Sequence, residues 1–97
     1  MGTMTSAEIE LRGEEAIKIT KALSSETAFR LLRLLSKERL DISTIAARLK
    51  LSESYVSEEV SLLEKLRLLR VDYAPGKRGI RKICELAVTK ITIVVGS

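Results

Sequence analysis

The chain has 97 residues, 45% apolar and 31% charged, with a formal net charge of +4. That is enough for one small domain with a modest core, and 15 Leu and 9 Ile against three aromatics make the core aliphatic. No apolar run approaches the roughly 20 residues of a membrane span, no cationic, apolar leader marks the chain for secretion, and the single Cys84 cannot close an internal disulfide, so a cytoplasmic protein without membrane association is expected.

Met1 to Ser6 reads as disordered or as partly an expression scar, with Met4 as a natural start, which leaves a single domain over 7–97. Ile9 and Leu11 alternate with charges, a weak strand signal. Gly13 separates it from a short helix over Glu14 to Leu23, opened by two acids that suit the helix dipole. Ser24 or Ser25 caps a second helix, whose Ala28, Leu31, Leu32 and Leu35 fall at i, i+3, i+4, i+7, a buried stripe. Asp41 caps a third helix with Ile42, Ile45, Ala46 and Leu49 at the same spacing. Lys50 and Leu51 form a short turn, and Ser52 caps a fourth helix running to about Leu66 or Leu69 with a core stripe of Val56, Val60, Leu63 and Leu66.

The period then changes to two. Leu69, Val71 and Tyr73 alternate with Arg70 and Asp72 in a strand, Ala74 to Gly79 forms a turn with Pro and Gly at its bends, and Ile80 to Leu86 returns as a second strand. Thr89 to Val95 is a third, β-branched strand. Left unpaired it would be an adhesive edge. It either completes the sheet of the preceding hairpin or pairs with Ile9–Leu11, of the same chain or of a partner subunit, with Ile17, Ile19 and Leu23 available for a two-fold interface. The fold class is mainly α with a small antiparallel sheet.

Charge is unevenly spread. Met1 to Leu40 carries net +1, Asp41 to Leu66 net −2 and Arg67 to Ser97 net +5. The densest cations are Lys77, Arg78, Arg81 and Lys82, a candidate phosphate-binding patch or a solvated hairpin tip that keeps an edge from aggregating.

The chain has no His, Trp, Asn or Gln. Loss of labile amides with enriched charge leans toward a hyperthermophile. No imidazole is available for acid–base work, and no side chain can make the bidentate amide contact to adenine. One cysteine without histidine is a poor start for a metal site, and Cys84 reads as a small buried strand residue. No glycine-rich phosphate loop and no nucleophile–base pair is present. Neither an enzyme nor a bound cofactor or metal is expected, and no effector is indicated.

Ile42–Leu49 and Glu53–Leu66, joined by a tight turn, form a helix-turn-helix candidate, and the hairpin after them is the wing of a winged helix. Lys21-Ala22-Leu23-Ser24-Ser25-Glu26-Thr27 leads into Arg-Leu-Leu-Arg-Leu-Leu, then come Asp41-Ile42-Ser43-Thr44-Ile45-Ala46-Ala47-Arg48-Leu49, Leu51-Ser52-Glu53-Ser54-Tyr55-Val56-Ser57, Leu63-Glu64-Lys65-Leu66 and Tyr73-Ala74-Pro75-Gly76-Lys77-Arg78-Gly79. This resembles the arsenical-resistance-repressor (ArsR) type of winged-helix regulator, from the archaeal and bacterial branch with a Pro-Gly-Lys-Arg-Gly wing, over roughly Glu14 to Val95. The resemblance implies a homodimeric regulator of double-stranded DNA, repressor or activator. The fourth helix would enter the major groove and the wing would ride the adjacent backbone or minor groove. The implied contacts are Ser52, Glu53, Ser54, Tyr55, Ser57, Glu58 and Ser61 on the helix, with Lys77, Arg78, Arg81 and Lys82 on the wing.

Three features depart from that family. The groove-facing helix offers Glu53 and Glu58, which phosphates repel, where relatives carry Gln, Thr or Arg. Glu can still accept from cytosine N4. Paired metal-binding cysteines and His–Asp clusters are missing, and the end of the chain is a strand where many relatives have a long dimerisation helix. The acids also admit a second reading, a winged-helix module whose fourth helix docks a basic protein.

Overall fold

The computed structural model describes residues 7–96. The expectation for residues 1–6 and the last residue of the 7–97 domain lie outside that range. Strand β1 (Glu8–Leu11) leads through a turn into α1 (Gly13–Leu23) and α2 (Glu26–Leu35). A two-residue strand, β2 (Leu40–Asp41), precedes α3 (Ile42–Leu49) and α4 (Glu53–Lys65), and β3 (Leu69–Gly76), β4 (Gly79–Leu86) and β5 (Lys90–Ile93) follow. The order is a helix-turn-helix and then a wing.

The helix starts are set by local chemistry. Ser25 Oγ accepts the Ala28 N–H at 3.2 Å, Asp41 Oδ1 accepts the Thr44 N–H at 2.9 Å, and Ser52 Oγ accepts the Tyr55 N–H at 3.1 Å. Each satisfies a donor that the first helical turn would otherwise leave unpaired. Between α3 and α4 the chain turns at Lys50, which adopts the left-handed conformation, and the Leu51 N–H returns to the Ala46 carbonyl at 2.9 Å. That closure ends α3 within one residue and lets Ser52 start α4.

The stripes read from the sequence converge on one core. Leu31 of α2, Ile45 of α3, Val56 and Leu63 of α4, Leu68 and Cys84 are fully buried. Leu32, Ile42, Leu49 and Leu66 sit half-buried at its margin. No polar or charged residue is buried among the described residues, so the core is apolar throughout. Leu68 carries no periodic signal. A left-handed turn at Arg67 drops it inward, and its carbonyl then accepts the Ala87 N–H at 2.9 Å, tying the end of α4 to the end of β4.

The sheet differs from expectation at β2 and at the wing turn, and it decides among the pairings expected for the last strand. The third strand of the wing sheet is β2: the order is β2-β4-β3, with Leu40 opposite Cys84 and Asp41 opposite Ile83. The edge of β4 that the last strand would take in the first of the two expected arrangements is therefore occupied at Ile83 and Cys84. β5 instead pairs in parallel with β1 of the same chain, Ile9 opposite Ile91 and Leu11 opposite Ile93 on one face, Glu8 opposite Lys90 on the other. Finally, the wing turn is Lys77-Arg78 alone, because both strands extend through the predicted loop and Pro75 sits in β3 opposite Ile80. β3 is an edge strand, where a missing N–H is tolerated. Gly79, at φ +116°, supplies the dihedral that a side chain would resist.

β5 is held to the body mainly by the half-buried Ile91, since Ile93 and Val95 are exposed. Truncation after Lys90 is expected to reduce unfolding free energy by about 1.5 to 3 kcal/mol, one buried aliphatic side chain. Urea titration followed by circular dichroism checks this.

Candidate nucleic-acid interface

Val56, Val60 and Leu63 anchor α4 in the core, and the 100° step of a helix turns the opposite side outward. Ser52, Glu53, Ser54, Tyr55, Glu58 and Ser61 are exposed, and Ser57 is half-buried. Ser57, Glu58, Ser61, Leu62 and Lys65 line a shallow depression along this surface. A second groove between the start of α4 and the wing is lined by Glu53 and Ser57 of α4, by Asp41, Ile42 and Ser43, and by Arg78, Ile80, Arg81 and Lys82 of the wing. Of the helix and wing residues singled out in the sequence, the fold brings Glu53 and Ser57 together with Arg78, Arg81 and Lys82, while Ser52, Glu58 and Ser61 lie outside this groove. Ser54 and Tyr55 lie outside that groove, and Lys77 sits at the wing tip next to it.

The four wing cations are not equivalent. Lys77, Arg78 and Lys82 form no ion pair among the described residues. Arg81 does: its Nε donates to Asp41 Oδ2 at 3.0 Å, and its Nη2 stands at ion-pair distance from the same oxygen, also 3.0 Å. The sequence placed no acid among the four, and in space one stands against the third. Nearer the base of the wing the charges are also paired. Arg70 meets Glu85 at 2.7 Å, and Arg39 reaches Glu85 at 3.1 Å and Asp72 at 3.2 Å. Hydrogen bonding from Arg70 holds the Glu85 carboxyl below its ordinary value. Unpaired positive charge is therefore concentrated toward the distal end.

Two features went unread in the sequence. Ile80 is 76% exposed on the wing, an apolar side chain among cations. Asp41 reads as a cap, and nothing in its neighbourhood of the chain announces a partner 40 residues on.

Cys84 lies on β4 with its side chain fully buried. Burial pushes the thiol up to about 11, with the nearby charges of Asp41 and Glu64 adding to the effect and Lys82 opposing it. Among the described residues, no group of three or more His, Cys, Asp or Glu side chains could hold a metal ion, and no helix is long and apolar enough to cross a membrane.

No protein-family model and no curated protein matches the sequence. Solved structures do. The chain is similar to reduced HlyU from Vibrio cholerae, at 24% identity over 77% of this chain and 75% of that one, with a TM-score of 0.61. It is similar to the homodimeric winged helix-turn-helix DNA-binding domain of a possible ArsR-family transcriptional regulator from Mycobacterium bovis, at 19% identity over 76% and 65% of the two chains and a TM-score of 0.66. An ArsR family transcriptional regulator is matched at 22% identity, 75% and 76% coverage and a TM-score of 0.63. At these identities the likeness is one of fold, and the fold is the winged helix-turn-helix.

A buried, protonated thiol is a poor nucleophile. Iodoacetamide at pH 8 is expected to label Cys84 only as the protein unfolds. Labelling and loss of circular dichroism should coincide along a denaturant series, and rapid labelling of the folded protein would contradict the burial.

Proposed function

We propose that the protein is a homodimeric transcriptional regulator of the ArsR type that binds duplex DNA through its helix-turn-helix and wing. The carrying observation is the groove between α4 and the wing, where a polar helix face stands opposite distal cations that lack internal partners. In this reading the outward face of α4 lies in the major groove. Lys77, Arg78 and Lys82 neutralise phosphates, contacts that position the protein without reading bases. Glu53 and Glu58 repel the backbone and can accept from cytosine N4, while the serines contact several bases. The solved winged-helix regulators of the same fold support the reading, and one of them is a homodimeric DNA-binding domain. The whole of 7–97 acts as one domain, working in the cytoplasm as a binding protein and not as an enzyme.

The dimer reading rests on a second surface. Ile17 of α1 and Ile93 and Val95 at the end of the chain are exposed, Val95 at 97%, and together with Ala16 and Thr20 they line one apolar depression. Apolar exposure of this kind favours association with a second copy.

A second reading follows from α4 alone, which carries four acids against one base and would suit a basic protein partner. Mobility shifts over a salt series separate the two. Each lost phosphate contact lowers the slope of log affinity against log salt by about 0.9, so Lys77→Ala with Arg78→Ala is expected to flatten it by up to about 3.6 in a dimer making all four contacts. The loss should be nearly equal on every duplex. Glu58→Gln is expected to raise non-specific affinity. An unchanged slope, or a monomer by light scattering, would overturn this mode of binding.

A further inference from the structure

We infer that Asp41 is a positioning residue that fixes the wing against the helix-turn-helix, and that Arg81 is its clamp and not a phosphate contact. The role in DNA recognition rests on the reading above.

Asp41 divides its carboxylate. Oδ1 caps α3 through the Thr44 N–H, and Oδ2 accepts the Nε–H of Arg81 and forms an ion pair with its Nη2. Its backbone belongs to β2, paired with Ile83 of β4. One residue therefore meets the start of α3, the wing sheet and a wing side chain. Its side chain is 17% exposed and that of Arg81 52%, so the pair is shielded on the acid's side.

The clamp sits where the wing needs one. β2 covers β4 only at Ile83 and Cys84, and from Gly79 to Lys82 the hairpin has two strands. A two-stranded ribbon is marginal by itself and free to change its pitch. Arg81 lies on this distal part and reaches back to the body.

The arginine stem passes close over a glycine. A Cβ built on Gly76 would lie 2.5 Å from Arg81 Cγ, 2.8 Å from Cδ and 3.1 Å from the Gly79 carbonyl oxygen. The stem thus crosses the wing where only glycine leaves room, on its way to Asp41. Hydrogen bonding from Thr44, first, and then Arg81 holds the Asp41 carboxyl below its ordinary value, so it stays ionised at neutral pH. An arginine spent on this carboxylate is not free for phosphate.

The test uses Asp41→Asn and Arg81→Ala in the whole chain. Asn caps a helix as well as Asp does, so Asp41→Asn keeps α3 capped while the oxygen that faces Arg81 becomes an uncharged NH2 donor that cannot hold it. Freed beside the groove, Arg81 is expected to steepen the salt slope by up to about 0.9 per subunit and to reduce discrimination between a selected and a random duplex. Arg81→Ala is expected to leave the slope unchanged while also reducing discrimination. A slope that flattens in Arg81→Ala as it does in Lys77→Ala would overturn the assignment, and so would unchanged discrimination in both variants. A readout without DNA separates this from the wider reading. The Arg81 Nε–H resonance should be protected from exchange in the free protein and lose that protection in Asp41→Asn, and an unprotected resonance in the unaltered protein overturns the clamp. Absence of any duplex binding by the unaltered protein would overturn the DNA reading, and with it the recognition role of Asp41, while the resonance still decides the clamp.

Discussion

Where Leu40 and Asp41 lie along β4, the helical body and the wing are joined by backbone pairing, a buried side chain and a carboxylate at once. Leu40 turns into the core opposite Cys84, and Asp41 turns outward to the cap of α3 and to Arg81. Two residues make a poor strand in isolation. They persist here because each side chain is committed to a different element. The aliphatic core can therefore run without interruption from α2 through α3 and α4 to the base of the wing, while the distal hairpin projects with one edge of β4 bare. What the wing can do follows from where this joint ends.

The same boundary sorts the charges. At the base, Arg39, Arg70, Asp72 and Glu85 neutralise one another across β3 and β4. Exposed pairs of this kind contribute about 0 to 1 kcal/mol each to stability, so their larger effect is on the field. They cancel the cations at the base of the hairpin and leave Lys77, Arg78 and Lys82 as the hairpin cations without an ion pair among the described residues. The net charge of +5 over the last third of the sequence also counts Arg67 and Lys90, outside the hairpin, and does not show that Arg81 within it is paired.

Helix starts were legible because a cap is a local event: Ser25, Asp41 and Ser52 each bond the N–H three residues on, within one turn of chain. The helical stripes and the hairpin were legible because burial imposes a period of 3.6 or 2 on the residues themselves. β2 was not, since two residues have no period. The partner of β5 was left among alternatives, because the pairing of Ile9 with Ile91 spans most of the chain and only the occupied edge of β4 decides it. Pro75 argued for a loop, and the argument lost to the edge position of β3. On α4, helical geometry alone gave the outward residues. On the wing, counting cations along the chain missed Asp41, because charge is cancelled in space and not in sequence.

An acidic helix and a cationic wing on one face look opposed, yet in the DNA reading they divide the work. Glu53 and Glu58 add repulsion wherever α4 nears a phosphate, so the helix cannot hold itself in a groove. Attraction has to come from the distal wing, is insensitive to base sequence and falls with salt. Discrimination then arises by exclusion: α4 tolerates the groove where cytosine amino groups or serine contacts offset its charge and is expelled elsewhere. Such a scheme works only if the wing delivers the helix at a fixed depth, since a ribbon free to swing would let the cations bind while the acids moved away. The pairing of Arg81 with the shared carboxylate of Asp41 limits that freedom, and the glycine at position 76 leaves the arginine stem room to reach it. In the DNA reading, a wing tied to the helical body is what turns a non-specific electrostatic grip into a choice among sites.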